Sequence, residues 1–239
     1  MYDWFNSHNK WAAITIGAAT VAVSKLIFAT IKYARSRKSN EEVLTILIFN
    51  ELSGSCGANH LKKAPFKCQN KYCTRSHIQR IVYQIDQAQY CIDIAIYTFT
   101  IIELLEAFKR ALSRGVTIRV ISDHEMICSS GSKVLSLNRL GVEVRMPETT
   151  AMMHHKFMVI DERARVDDLR LKDRKSKPRA YQSVVVYGSA NWTLQGFNGN
   201  CENCVITSDK QMTKKFQTEF DRMWKSFECS SRNVKACIK

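Results

Sequence analysis

The chain has 239 residues, 45% of them hydrophobic, and a formal net charge of +14. That length supports one medium domain with its own core, and the charge points to a polyanionic partner, either nucleic acid or an anionic membrane surface. Nine scattered cysteines, an odd number, argue against a secreted disulfide framework and for a reducing compartment, with some thiols on metal.

After a tail over residues 1–10, Trp11 to Ile31 is almost entirely apolar or small. Its 21 residues are long enough to span a bilayer. Lys25 lies toward the end of the run, where its stem snorkels to the interface. A cleaved signal peptide fits poorly, because Met1 to Asn9 has no Lys or Arg. The linker over residues 32–41 carries Lys32, Arg35, Arg37 and Lys38, which predicts a single-pass anchor with the bulk of the chain in the cytosol. Composition suits the outer mitochondrial membrane and the endoplasmic reticulum equally.

Val43 to Asn50 reads as a strand. Cys56, Cys68, Cys73 and His77 follow within 22 residues and suggest a Cys3His structural zinc lobe over residues 56–77, in which His60 is an alternative ligand. Lys62, Lys63, Lys67, Lys71 and Arg75 make the lobe basic, as a solvated face or as a hold on a nucleic-acid backbone. An α/β alternation begins at Ser76, a candidate N-cap for a helix with Ile78, Ile81, Val82 and Ile85 on one face. Strands are expected at Cys91 to Tyr97, Val116 to Ile121 and Val142 to Met146. Helices are expected at Ile101 to Leu112 and Val134 to Leu140. This alternation predicts an α/β fold, a mixed or parallel sheet covered by helices. Asp123, His124 and Glu125 follow a strand end, where open α/β sheets place ligands, although a plain polar loop also explains them.

Met152 to Ile160 is the next expected strand. Alternation puts His154 and Lys156 on one face and His155 on the other. An imidazole there can act as nucleophile or proton carrier near neutral pH, and the lysine can neutralise a phosphate oxygen. Ser183 to Gly188 leads to Ser189 and Asn191, which add a hydroxyl and an amide. One imidazole, one cation and two neutral donors suit a phosphodiester passing through a five-coordinate transition state. Between them, residues 162–182 hold eight Lys or Arg and four Asp or Glu. This stretch is expected to be an exposed hairpin-like loop near the cleft, either a basic arm that guides a nucleic-acid strand or a tolerated surface insertion. Cys201 to Thr207 is a strand whose Cys201 and Cys204 read as core thiols, and Thr213 to Phe227 is a closing amphipathic helix.

His154-x-Lys156-x4-Asp161 with Gly188-Ser189-x-Asn191 and Asn200-x-Glu202-Asn203 resembles the signature of the phospholipase D superfamily. Within it the chain is similar to the single-motif Zucchini-type (mitochondrial phospholipase D) branch over most of residues 42–228, leaving residues 229–239 as a tail. The long insertion departs from most of the superfamily and resembles one in insect members. The resemblance implies a phospholipase D fold and a homodimer with one site on the two-fold axis. There one His154 attacks phosphorus to form a phosphohistidine, while the other protonates the leaving oxygen and later deprotonates water. It implies that Lys156 and Asn191 hold the non-bridging oxygens, that Ser189 assists, and that Glu202 orients the histidine. Asp161 is expected to brace strand and loop rather than touch substrate. No catalytic metal is implied, and any zinc is structural. Two substrates share this chemistry. One is single-stranded RNA, cleaved in the processing of PIWI-interacting RNA precursors at the mitochondrial surface. The other is cardiolipin, hydrolysed to phosphatidic acid. The charge and the scarcity of apolar residues near the site, with Phe197 the main exception, favour RNA. An inert scaffold is disfavoured because every chemical residue is present.

Overall fold

The β-branched runs pair into one seven-stranded sheet and the helical repeats lie on both of its faces. The architecture comes from a computed structural model that describes residues 21, 23–28, 30, 42–54, 68–147, 151–173 and 177–228. The chain divides into two units, Met1–Glu41 and Glu42–Lys239. In the first, the described residues are helical and expose Val21, Val23, Leu26, Ile27 and Phe28. Among the described residues no helix is long and apolar enough to cross a membrane. Most of the expected anchor over residues 11–31, and the whole basic linker up to residue 41, lie outside the described residues.

In the second unit the strands are β1 (Leu44–Phe49), β2 (Cys91–Ile96), β3 (Thr117–Ser122), β4 (Glu143–Arg145), β5 (Lys156–Ile160), β6 (Val184–Gly188) and β7 (Glu202–Thr207). Their order is β1-β7-β6-β5-β2-β3-β4. β2, β3 and β4 run parallel, linked through helices α2 (Ile102–Ser113), α3 (His124–Ile127) and α4 (Val134–Arg139). Every other neighbouring pair is antiparallel. The remaining helices are α1 (Thr74–Gln87), α5 (Arg163–Lys172), α6 (Leu194–Asn198) and α7 (Lys210–Ser226).

Central strands β2 and β5 are buried along their whole length, which is why they read as nearly continuous apolar runs. On one face Ile94, Ile96, Met158 and Val186 pack with Ile81 and Ile85 of α1 and Leu104 and Phe108 of α2. On the other, Phe157, Val159 and Val185 meet Phe220 and Met223 of α7. A buried ionic cluster pins α7 to that face. Arg119 donates to both oxygens of Asp93 at 2.7 and 2.5 Å and to Asp221 at 2.8 Å, and Gln217 donates to Asp93 at 2.7 Å. Removing Arg119 or Asp93 would leave the other charge uncompensated inside, at about 3–5 kcal/mol.

Three expectations change. Ser76 is not the N-cap of α1. The helix starts at Thr74, and Cys73 stands at the cap position without a side-chain capping bond to the helix. Tertiary contacts set this start, because the Thr74 hydroxyl donates to the Phe197 carbonyl at 2.8 Å. The strand expected from Met152 begins only at Lys156, because the Met153 N–H donates to the Asp123 carboxylate at 3.0 Å instead of to a neighbouring strand. The expected hairpin-like loop over 162–182 contains helix α5, capped by the Glu162 carboxylate on the N–H groups of Ala164 and Arg165. Only Val166 of α5 is buried, against Tyr90 and Cys91, and a single buried position leaves almost no periodicity to read.

Candidate active site

Strand register decides where the signature residues meet. Lys156 opens β5 opposite Ile96 at the end of β2. Gly188 closes β6 opposite Cys204 of β7, and Glu202 opens β7 opposite Phe49 at the end of β1. β5, β6 and β7 therefore bring these residues to one end of the sheet. Alternation puts Lys156, Gly188 and Glu202 on the face that carries α1 and α2. His154 and Ser189 lie just outside the strand ends and are exposed.

The Tyr97 ring stands edge-on to the His154 imidazole, 4.8 Å between centroids. Lys156 is 9% exposed. Its Nζ donates to the His154 carbonyl at 2.9 Å and sits 5.2 Å from the centre of the Tyr97 ring. Burial lowers the Lys156 pKa, and the negative charge of Glu202 opposes that shift. Two of the three ammonium protons have no bond among the described residues, and these can reach a phosphoryl oxygen.

Glu202 is held at both oxygens. Ser189 Oγ donates to Oε2 and Asn200 Nδ2 donates to Oε1 at 3.0 Å. Gln195 in turn donates to Asn200 at 2.9 Å, so the carboxylate ends a chain of amides. The Ser189 hydroxyl also accepts the Asn203 N–H at 3.1 Å. Gly188 permits this approach, because a Cβ there would lie 2.1 Å from the Asn203 carbonyl oxygen. Within one chain, then, Glu202 binds Ser189 and Asn200 and bears electrostatically on Lys156. Asn191 presents a buried Oδ1 with no hydrogen-bond partner among the described residues. A half-turn of the amide puts Nδ2 in that place, a donor suited to a phosphoryl oxygen.

The loop from Tyr97 to Ile101 brackets both halves of the site. Tyr97 N–H donates to the His155 carbonyl at 3.0 Å, while Thr100 and Ile101 donate to the Trp192 carbonyl at 2.8 and 3.2 Å, beside Asn191. The bracketing depends on the fold, because it needs β2 paired beside β5. Asp123 is likewise a brace. It caps α3 and accepts the Met153 N–H one residue before His154. His155 points away from His154 and packs edge-on to Phe157, 5.3 Å between centroids, with burial lowering its pKa.

Asp161 is not at this end. It follows β5, about 17 Å along the strand from Lys156 at ~3.3 Å per residue. Its carboxylate accepts the backbone N–H groups of Gln89, Tyr90 and Cys91 at 2.7, 2.8 and 2.8 Å. Burial pushes the carboxyl above its ordinary value while the three donors pull it back. Asp161 also holds a left-handed φ of 50°, which Asp tolerates better than bulkier residues. The insertion belongs to this far end too. In an antiparallel hairpin the connection and the open ends lie apart, so α5 cannot flank the site as expected.

Of the expected zinc ligands, Cys56 and the alternative His60 lie outside the described residues. Cys68, Cys73 and His77 are described. His77 Nε2 faces the Lys71 carbonyl at 3.0 Å, and His77 Nδ1 is buried with no hydrogen-bond partner among the described residues. Among the described residues no three His, Cys, Asp or Glu side chains are gathered as a metal site. The two thiols expected in the core divide. Cys204 is buried, with its pKa pushed up to about 12, whereas Cys201 is exposed.

Residues 81–224 match the family described as cardiolipin synthase, PLD-like domain. The mitochondrial cardiolipin hydrolase of Drosophila melanogaster is 44% identical over 225 residues, covering 90% of this chain and 89% of that protein. The protein of the same name from Xenopus tropicalis is 29% identical over 93% of each chain. Among solved structures, NucT from Helicobacter pylori shares the fold with a TM-score of 0.56 at 20% identity, over 78% of this chain and 98% of that one.

Proposed function

The chain belongs to the phospholipase D superfamily, in its single-motif mitochondrial branch, and is a phosphodiester-cleaving hydrolase; from that premise we propose that it is a single-strand endoribonuclease, acting through a phosphohistidine on His154. The observation that carries this is the convergence of His154, Lys156, Ser189, Asn191 and Glu202 on one end of the sheet. His154 is exposed and free to attack phosphorus. Lys156 and Asn191 face the charge that grows on the non-bridging oxygens, and Ser189 and Glu202 hold the rim. A second imidazole is needed to protonate the leaving oxygen, because one His154 cannot be nucleophile and acid at once. His155 points away, and the phospholipase D resemblance makes the second group His154 of another copy, so on this reading the working enzyme is a homodimer. None of these steps calls on a metal.

The substrate reading rests on charge and on Phe197. The net charge of +14 suits a polyanion. Phe197, the apolar residue best placed by sequence to admit acyl chains, is 1% exposed and stacks on Phe49 at 5.0 Å. The second reading, cardiolipin hydrolysis, is favoured by the names of the Drosophila and Xenopus relatives. Those names also support a mitochondrial location. The exposed apolar side chains between residues 21 and 28 support a membrane anchor, which we take to be single-pass in the outer membrane with the catalytic unit in the cytosol. On this reading the RNA product feeds PIWI-interacting RNA production. A structural zinc on Cys56, Cys68, Cys73 and His77 belongs to the same proposal, supported by the unpaired His77 Nδ1. It predicts one zinc per chain, lost in Cys73→Ser.

The deciding experiment gives the full chain labelled single-stranded RNA and cardiolipin vesicles in parallel, with His154→Asn as control. RNA cleavage that the control lacks, with intact cardiolipin, supports the proposal. Cardiolipin hydrolysis with intact RNA replaces it with the lipid reading.

A further inference from the structure

We propose that Tyr97 is a positioning residue for phosphodiester cleavage, its ring aligning the His154 imidazole and steering the Lys156 ammonium. The inference rests on the reading of His154 and Lys156 above and adds a residue that acts through both.

Tyr97 follows β2, one residue beyond Ile96, which pairs with Lys156. Its backbone is fixed on two sides. Its N–H donates to the His155 carbonyl at 3.0 Å. The buried Ser122 hydroxyl reaches the carbonyls of Ile96 and Tyr97 at 2.8 and 3.4 Å. The ring therefore leaves a rigid base and lies against the two reactive groups at once.

Each contact suits a different task. The imidazole lies 4.8 Å from the ring at an interplanar angle of 62°, the edge-on arrangement that aromatic quadrupoles prefer. His154 lies outside β5 and is exposed, so the ladder does not hold its side chain, and this ring is the aromatic surface beside it. The ammonium lies 5.2 Å from the ring centre, within the range of cation–π attraction. Nζ is also tied to the His154 carbonyl at 2.9 Å. Carbonyl and ring together narrow the directions in which its remaining protons point. Nucleophile and cation thus share one wall, and their spacing is set before substrate arrives. Misplacement of about 1 Å costs roughly a hundredfold in rate, so a loss of this wall should show in turnover.

The phenolic hydroxyl has no part in this, which separates a ring effect from a hydrogen-bond effect. The test uses the full chain and bis(p-nitrophenyl) phosphate, a small diester whose turnover reports chemistry and not recognition of a polymer or a lipid. Tyr97→Leu is expected to lower kcat by about tenfold to a hundredfold with KM within about twofold, and Tyr97→Phe to stay within about twofold of wild type. Should the leucine variant unfold, Tyr97→Met takes its place. Proton resonances of the His154 imidazole give an independent reading. The neighbouring ring should shift them in wild type and Tyr97→Phe, and the shift should disappear in Tyr97→Leu. Wild-type kcat in Tyr97→Leu, a phenylalanine variant as slow as leucine, or unchanged resonances would each overturn the inference. Full turnover in His154→Asn would instead overturn the assignment of the site.

Discussion

At the open end of the β5–β6 hairpin, polar groups keep bonding capacity to spare. His154 and Ser189 are exposed, Asn191 carries an unpaired amide oxygen, and Lys156 has protons to spare. At the connecting end the same motif turns inward. Asp161 is 1% exposed and spends its carboxylate on three backbone N–H groups. Beside it Val166 packs on Tyr90 and Cys91, and the Tyr90 hydroxyl accepts the Arg179 N–H at 2.6 Å. One continuous motif thus splits into a reacting half and a bracing half. Residues five apart on a strand cannot serve one site, so membership of a motif does not by itself mean contact with substrate.

The contrast predicts its largest effect at the open end. His154→Asn should lower turnover at least a thousandfold, because it removes nucleophile and proton carrier together. Its unfolding free energy should stay within about 0.5 kcal/mol of wild type, as for other exposed positions. Steady-state turnover and urea unfolding on one preparation check both. Gly188→Ala probes the same end through the backbone. Its Cβ would meet the Asn203 oxygen at 2.1 Å, forcing β6 from β7. The expected cost is about 1–3 kcal/mol, with loss of turnover as Ser189 leaves Glu202.

Much of this contrast was legible in the sequence. The strands reveal themselves because β2 and β5 are buried on both faces, and the reacting residues because two motifs sit at strand ends. Asp161 was separable as a brace. What stayed hidden depended on pairing. Where the insertion lies follows from the antiparallel register of β5 and β6, which no local pattern encodes. The role of Tyr97 depends on β2 lying beside β5, a pairing between residues some sixty positions apart, as in Ile96 opposite Lys156. Helix α5 hid because one buried valine makes no stripe.

Two smaller effects sharpen the comparison. The alkaline limb of the rate profile should fall below the ordinary lysine range, because burial lowers the Lys156 pKa. Glu202 stabilises the ammonium, so Glu202→Gln makes proton loss easier and should move that limb to lower pH. A limb that moves up would contradict the coupling. Replacing Arg163, Arg170 and Lys172 of α5 with Gln should change turnover of a small diester less than twofold, because the helix lies at the end away from His154. A tenfold loss would return the insertion to the cleft.

The most direct test is Asp161→Ala measured beside His154→Asn, with urea unfolding and turnover per folded molecule taken on each. Three N–H groups, two of them buried, lose their acceptor in Asp161→Ala, so it should lose ~3 kcal/mol or more of stability while the folded fraction turns over within about threefold of wild type. His154→Asn should do the reverse. An Asp161→Ala protein that is as stable as wild type and as inactive as His154→Asn would contradict the division between the two ends.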